Sequence, residues 1–86
     1  MVAKLLKVNG EIEYVKPKRE TFSLKEMQKM VGGYVEVLPC PKLEKSVVIG
    51  DEEGKLKGKP INIRASKTLG YVVVGDIAII PASLLV

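Results

Sequence analysis

One segment concentrates the side chains able to do chemistry. It reads Lys55-Leu56-Lys57-Gly58-Lys59-Pro60-Ile61-Asn62-Ile63-Arg64-Ala65-Ser66-Lys67-Thr68. Cations cluster around Asn62, a hydrogen-bonding residue placed where a short helix would begin. Backbone N–H groups at a helix start lack partners and carry partial positive charge. With adjacent cations they form a ready anion site. Lys55, Lys57, Asn62 and Arg64, with N–H groups of the glycine-rich stretch, are therefore the candidate ligand-binding residues. The implied ligand is a phosphate, a nucleotide or a nucleic-acid backbone. The competing reading is structural: Asn62 caps the helix and the lysines are solvated.

Other combinations carry less. Gly32-Gly33, Gly50, Gly54 and Gly58 lie near lysines, but neither G-x-x-x-x-G-K-[ST] nor G-x-G-x-x-G occurs, so they read as helix-stop and turn glycines. Asp51-Glu52-Glu53-Gly54 lacks the alternating ligands and closing Glu of a calcium loop and reads as a solvated turn. Glu52 and Glu53 are adjacent, so on an extended chain they point apart and do not easily converge on one bond, which ranks a carboxylate hydrolase last. Cys40 stands between Pro39 and Pro41, and the chain has no His to activate it. One Cys and no His also cannot build a closed four-ligand zinc site. No enzyme activity, metal or cofactor is expected.

Composition sets the frame. Eighty-six residues suffice for one domain, spanning residues 1–86, with a thin core. Apolar residues make up 47%, which argues for a globular chain and, given the thin core, for self-association into a homo-oligomer. The net charge of +4 comes mostly from lysine; arginine, suited to bidentate phosphate contacts, occurs only as Arg19 and Arg64. Aromatic residues are limited to Tyr14, Phe22, Tyr34 and Tyr71, too few for an extended base-stacking platform. No apolar run reaches the length of a membrane span, and the first residues do not form a signal peptide. A lone Cys gives no sign of an oxidising compartment, so the expected location is the cytoplasm.

The elements that would position these residues can be read in order. Asn9-Gly10 between two β-compatible runs predicts a hairpin with a two-residue turn, placing Leu5 opposite Tyr14 on the core face. Leu6 then falls opposite Glu13 on the other face. Ser23-Leu24-Lys25-Glu26 is a capping box, with Phe22 and Met27 spaced as a hydrophobic staple. It starts a helix whose buried face carries Leu24, Met27, Met30 and Val31, ended by Gly32-Gly33. Strands are predicted over Tyr34–Leu38 and Ser46–Gly50. A short helix follows over Ile63–Leu69, capped by Asn62 and closed by Gly70. Tyr71 to Ile80 reads as a long buried strand with a bulge or kink at Gly75. Ala82–Val86 is an apolar tail that must pack or meet a partner. The order β-β-α-β-β-short α-β predicts an α+β fold: a small, mainly antiparallel sheet with one capped helix on a face.

Three ordered blocks carry a family resemblance. Leu24-x-x-Met27-x-x-x-Val31-Gly32-Gly33-Tyr34-Val35-Glu36-Val37 is the first. Glu52-Glu53-Gly54-Lys55-Leu56-x-Gly58-x-Pro60-x-Asn62 is the second. Ala65 with Val74-Gly75-Asp76 is the third. Together they resemble the small family called domain of unknown function 3846, from Lys4 to Ile80. Gly50-Asp51 stands where the family usually carries Cys or Val followed by Asn. Ile63 precedes Arg64 where many members have Arg directly.

The resemblance implies a product of phages, plasmids or conjugative elements. Combined with the cationic segment, it sets the expectation of an accessory binding protein. Such a protein would sequester a small anionic, nucleotide-like signal or inhibit a host protein, as in counter-defence. The alternative is a lysine-rich nucleic-acid-binding module.

Overall fold

The last strand of the chain lies at the centre of a five-stranded sheet. The computed structural model describes residues 1–85. The strands are β1 (Ala3–Leu6), β2 (Ile12–Val15), β3 (Val35–Leu38), β4 (Ser46–Asp51) and β5 (Ile77–Pro81), with helices α1 (Leu24–Val31) and α2 (Ile63–Leu69). Every pairing is antiparallel. The fold is α+β, in the element order the sequence predicts. Two hairpins, β1–β2 and β3–β4, meet only because β5 inserts between β1 and β4 and pairs with both.

Strand alternation splits the core in two. On one face Ala3, Leu5, Ile49, Ala78 and Ile80 pack with Phe22, Met30 and Val31 of the α1 region. On the other, Leu6, Val48 and Ile77 pack with Ala65, Leu69 and Val73. The second helix thus covers the face that the sequence left open, because Ala65 and Leu69 are four residues apart and share its buried stripe. Each fully buried Ile or Val here contributes roughly 1.5–3 kcal/mol relative to exposure.

The first hairpin departs from expectation by one residue. The Lys7 N–H donates to the Glu11 carbonyl at 2.9 Å, and the Gly10 N–H to the Lys7 carbonyl at 3.0 Å, which leaves Val8-Asn9-Gly10 as a three-residue loop. Only Gly10 has positive φ, at 91°, so this is a turn followed by a left-handed glycine bulge rather than a two-residue type I′ turn. The Asn9 Oδ1 accepts from the Glu11 N–H at 2.9 Å and stabilises that alternative. A one-residue shift moves side chains to the other face. Leu5 therefore opposes Glu13, and Tyr14 opposes Lys4 in solvent instead of entering the core. Leu5 and Leu6 are both buried, because β1 is an interior strand covered on both sides.

α1 carries the full capping box. The Glu26 N–H donates to Ser23 Oγ at 3.1 Å, and the Ser23 N–H to Glu26 Oε1 at 2.9 Å. Leu24, expected on the buried face, is exposed because it lies at the margin of the arc through Met27, Met30 and Val31.

Tyr71–Ile80 is not one strand. Gly75, at φ 75°, turns the chain, and only Ile77 onward joins the sheet. The preceding residues pair instead with the strap before α2: the Asn62 N–H donates to the Val73 carbonyl and the Gly75 N–H to the Pro60 carbonyl, both at 2.9 Å. The tail is docked, with the Leu84 carbonyl accepting from the Phe22 N–H at 2.8 Å and both Leu84 and Leu85 packed on the α1-side core. Val86 lies outside the described residues.

Candidate functional site

Asn62 is the N-cap of α2, as its position predicts: its Oδ1 accepts from the Ala65 N–H at 3.0 Å. Its side chain is also fully buried. Nδ2 donates to the Leu6 carbonyl at 2.8 Å and to the Gly75 carbonyl at 2.9 Å. Both amide hydrogens are thus engaged, and one residue ties the end of β1, the turn before β5 and the start of α2. No donor of this amide is left for a ligand.

Lys57 is likewise bound into the fold. Asp51 ends β4 on the α1 side, with a side chain fully enclosed. The Lys57 and Lys59 ammonium groups each lie 2.8 Å from Asp51 Oδ2. They also donate to the last turn of α1, Lys59 to the Val31 carbonyl at 2.8 Å and Lys57 to the Gly32 carbonyl at 3.2 Å. Helix-end carbonyls lack intrahelical partners and carry partial negative charge, so cations stabilise them. Burial pushes the Asp51 carboxyl up, but the hydrogen bonds from Lys57, Lys59 and the Glu53 N–H outweigh it and hold the group far below the usual carboxylate range. The hydrogen bond to Asp51 raises the Lys57 ammonium, against desolvation. Gly33 admits this knot: a Cβ there would lie 2.5 Å from Asp51 Oδ1 and 2.6 Å from Lys57 Nζ.

Lys55 and Arg64 lie in separate recesses on the α2 side of the sheet. Lys55 is exposed and lines a recess of about 320 Å³ at the β3–β4 end, beside Glu36, Glu52 and Tyr71. The two carboxylates make it a poor anion site. Tyr71 donates its hydroxyl to the Pro39 carbonyl at 2.7 Å, and burial raises its phenol, with Cys40 and Glu36 adding to the effect. Cys40 packs against the α2-side core, as a small strand-end residue should.

Arg64 lines a groove of about 340 Å³ between α2 and the outer half of the sheet, with Lys4, Ser46 and Thr68 around a floor that includes Leu6, Ile12 and Ile79. Among the described residues no carboxylate lines it. The Arg64 Nε donates to the Gly10 carbonyl at 3.0 Å, which orients the guanidinium and leaves its two terminal amino groups without a partner among the described residues. Thr68 Oγ1 donates back to the Arg64 carbonyl at 3.0 Å, steadying the same helical turn. The Lys4 ammonium forms no ion pair among the described residues. Two cations and the Ser46 hydroxyl thus line one groove over an apolar floor, an arrangement chemically suited to an anion bearing a flat or apolar body.

The matched family is described as Domain of unknown function (DUF3846), and its model covers residues 4–83. The chain belongs to this family. The DUF3846 span begins at Lys4 and closes beyond β5, so it takes in Lys4, Ser46, Arg64 and Thr68 as well as the Asp51 and Asn62 knots. No curated protein and no solved structure matches the chain. Among the described residues no helix is long and apolar enough to cross a membrane, and no group of His, Cys, Asp or Glu is placed to hold a metal ion.

Of the four sequence candidates, then, Asn62 and Lys57 hold the fold, Lys55 lines a partly acidic recess, and Arg64 alone faces a carboxylate-free groove. Lys4 and Ser46 were missed because strand alternation alone does not reveal which residues β5 brings alongside. Asp51 was legible in principle: it continues the Val47–Ile49 alternation onto the core face.

Proposed function

We propose that this DUF3846 protein is a non-enzymatic binding module that captures a small anion of nucleotide type in the Arg64 groove. The carrying observation is the convergence of Lys4, Arg64 and Ser46 on an apolar floor with no carboxylate in the lining. An arginine already oriented through Nε loses little freedom when its other edge grips a phosphate. The apolar floor suits a nucleobase, and the cations suit its phosphates. A phage or mobile-element origin, and a counter-defence role in the host cytoplasm, fit a module that sequesters such a signal without transforming it.

Native mass spectrometry of the protein with a mixture of mononucleotides and cyclic nucleotides tests this directly. A retained nucleotide mass, lost in a Lys4→Ala/Arg64→Ala variant that still folds, is the expected outcome. No retained mass, or retention unaffected by the double substitution, would contradict it.

A further inference from the structure

We propose that the opposite face of the sheet carries a second, independent surface, around the start of α1, that docks a nucleic-acid phosphate backbone. Two recesses join there. One of about 610 Å³ is lined by Lys18, Arg19, Lys25 and Lys29, and the next by Lys16, Lys18 and Lys29. Lys18, Glu26 and Lys29 belong to both, so the surface is continuous from the β2 edge along α1. The Lys18 N–H donates to Glu26 Oε2 at 3.0 Å, which pins the connector after β2 against the helix and sets its cations beside Lys25 and Lys29.

Charge accounting distinguishes this patch from an ordinary solvated face. Six cations, Lys7, Lys16, Lys18, Arg19, Lys25 and Lys29, line the two recesses against three carboxylates, Glu13, Glu26 and Asp76, which keep their charge and leave an excess of three positive charges. Glu13 pairs with Lys7 at 3.5 Å. Glu26 accepts the Ser23 and Lys18 N–H groups at 2.9 and 3.0 Å. Asp76 Oδ1 accepts the Val8 N–H at 2.9 Å. Lys16, Lys18, Arg19, Lys25 and Lys29 have no ion-pair partner among the described residues. Glu20, next to Arg19, lies outside both recesses.

An elongated row of unpaired cations fits an elongated polyanion. Lysine dominance favours phosphate contacts over base reading. Leu24 is the one large apolar side chain of α1 exposed beside the row, far short of the apolar face that membrane docking needs.

The test is fluorescence anisotropy with short labelled single-stranded and duplex DNA and RNA, using anionic phospholipid vesicles as the competing surface. Neutralising about four phosphates predicts roughly a hundredfold loss of affinity between about 50 and 200 mM salt. Lys18→Glu/Lys25→Glu should abolish binding. Lys42→Glu/Lys45→Glu makes the same charge change elsewhere and should shift affinity no more than about threefold. Circular dichroism confirms that both variants fold. Absence of binding at low salt, equal losses in the two variants, or binding to vesicles alone would overturn the proposal. None of these results bears on the Arg64 groove.

Discussion

Lys59 Nζ lies 2.8 Å from Asp51 Oδ2 and donates at 2.8 Å to the Val31 carbonyl, so one ammonium joins the end of β4 to the end of α1. Cations from a segment rich in candidate ligand residues are thereby diverted into holding the fold. The electrostatics of this chain divide into a buried, satisfied part and an unpaired surface part, and both proposed binding surfaces draw on the second.

Asp51→Asn should destabilise the protein by about 2–4 kcal/mol. It leaves two ammonium groups facing a neutral amide, and removing one partner of an enclosed ion pair is costly. Urea unfolding measures the change. Nucleotide retention by the remaining folded protein should be unaltered.

Acid should act through the same carboxyl. The Asp51 pKa is lowered on folding, so its contribution is complete above the unfolded-state value of about 3.9 and is lost as pH falls through the folded value. Stability measured from pH 7 downward should fall from about pH 4–5, and that acid-side slope should shrink in Asp51→Asn. An identical slope in the variant would assign the acid sensitivity to other groups.

Asn62→Ala should cost roughly 3–5 kcal/mol, since it removes an N-cap and leaves the Leu6 and Gly75 carbonyls buried without donors. Asn62→Asp separates the two roles. It keeps the cap acceptor but points a carboxylate at two carbonyls. It should therefore be destabilising at neutral pH and partly recover in acid, the reverse of the wild-type trend. Thermal melts at two pH values read this out.

Gly33→Ala should destabilise by about 1–3 kcal/mol, because its Cβ would press on Asp51 and Lys57. Gly58→Ala, with open space around it, should cost only the strain of its positive φ, about 1 kcal/mol. Chemical denaturation of the pair compares close approach with backbone strain.

Local signals proved legible wherever neighbours in sequence decide the outcome. The Ser23–Glu26 box, the Asn62 cap and the glycine ends at Gly32 and Gly70 all appear where the residue chemistry demands them. The hairpin register was missed because Asn9-Gly10 supports two turns differing by one loop residue, and the side-chain bond to Glu11 selects the longer. The kink at Gly75 was legible, but the loss of sheet pairing before it was not, because an apolar run pairing with a sheet reads the same as one pairing with a strap. The groove was illegible for a third reason: Lys4, Ser46 and Arg64 are separated by 42 and 18 positions and converge only after β5 inserts.

The most direct test of the central claim is amide NMR on labelled protein titrated with a nucleotide, with inorganic phosphate as a second titrant. The account predicts saturable shifts at Lys4, Ser46, Arg64 and Thr68, larger for the nucleotide than for phosphate and absent in Lys4→Ala/Arg64→Ala. Shifts centred instead on Lys55 and the Glu36–Glu52 recess, or none at millimolar ligand, would contradict it.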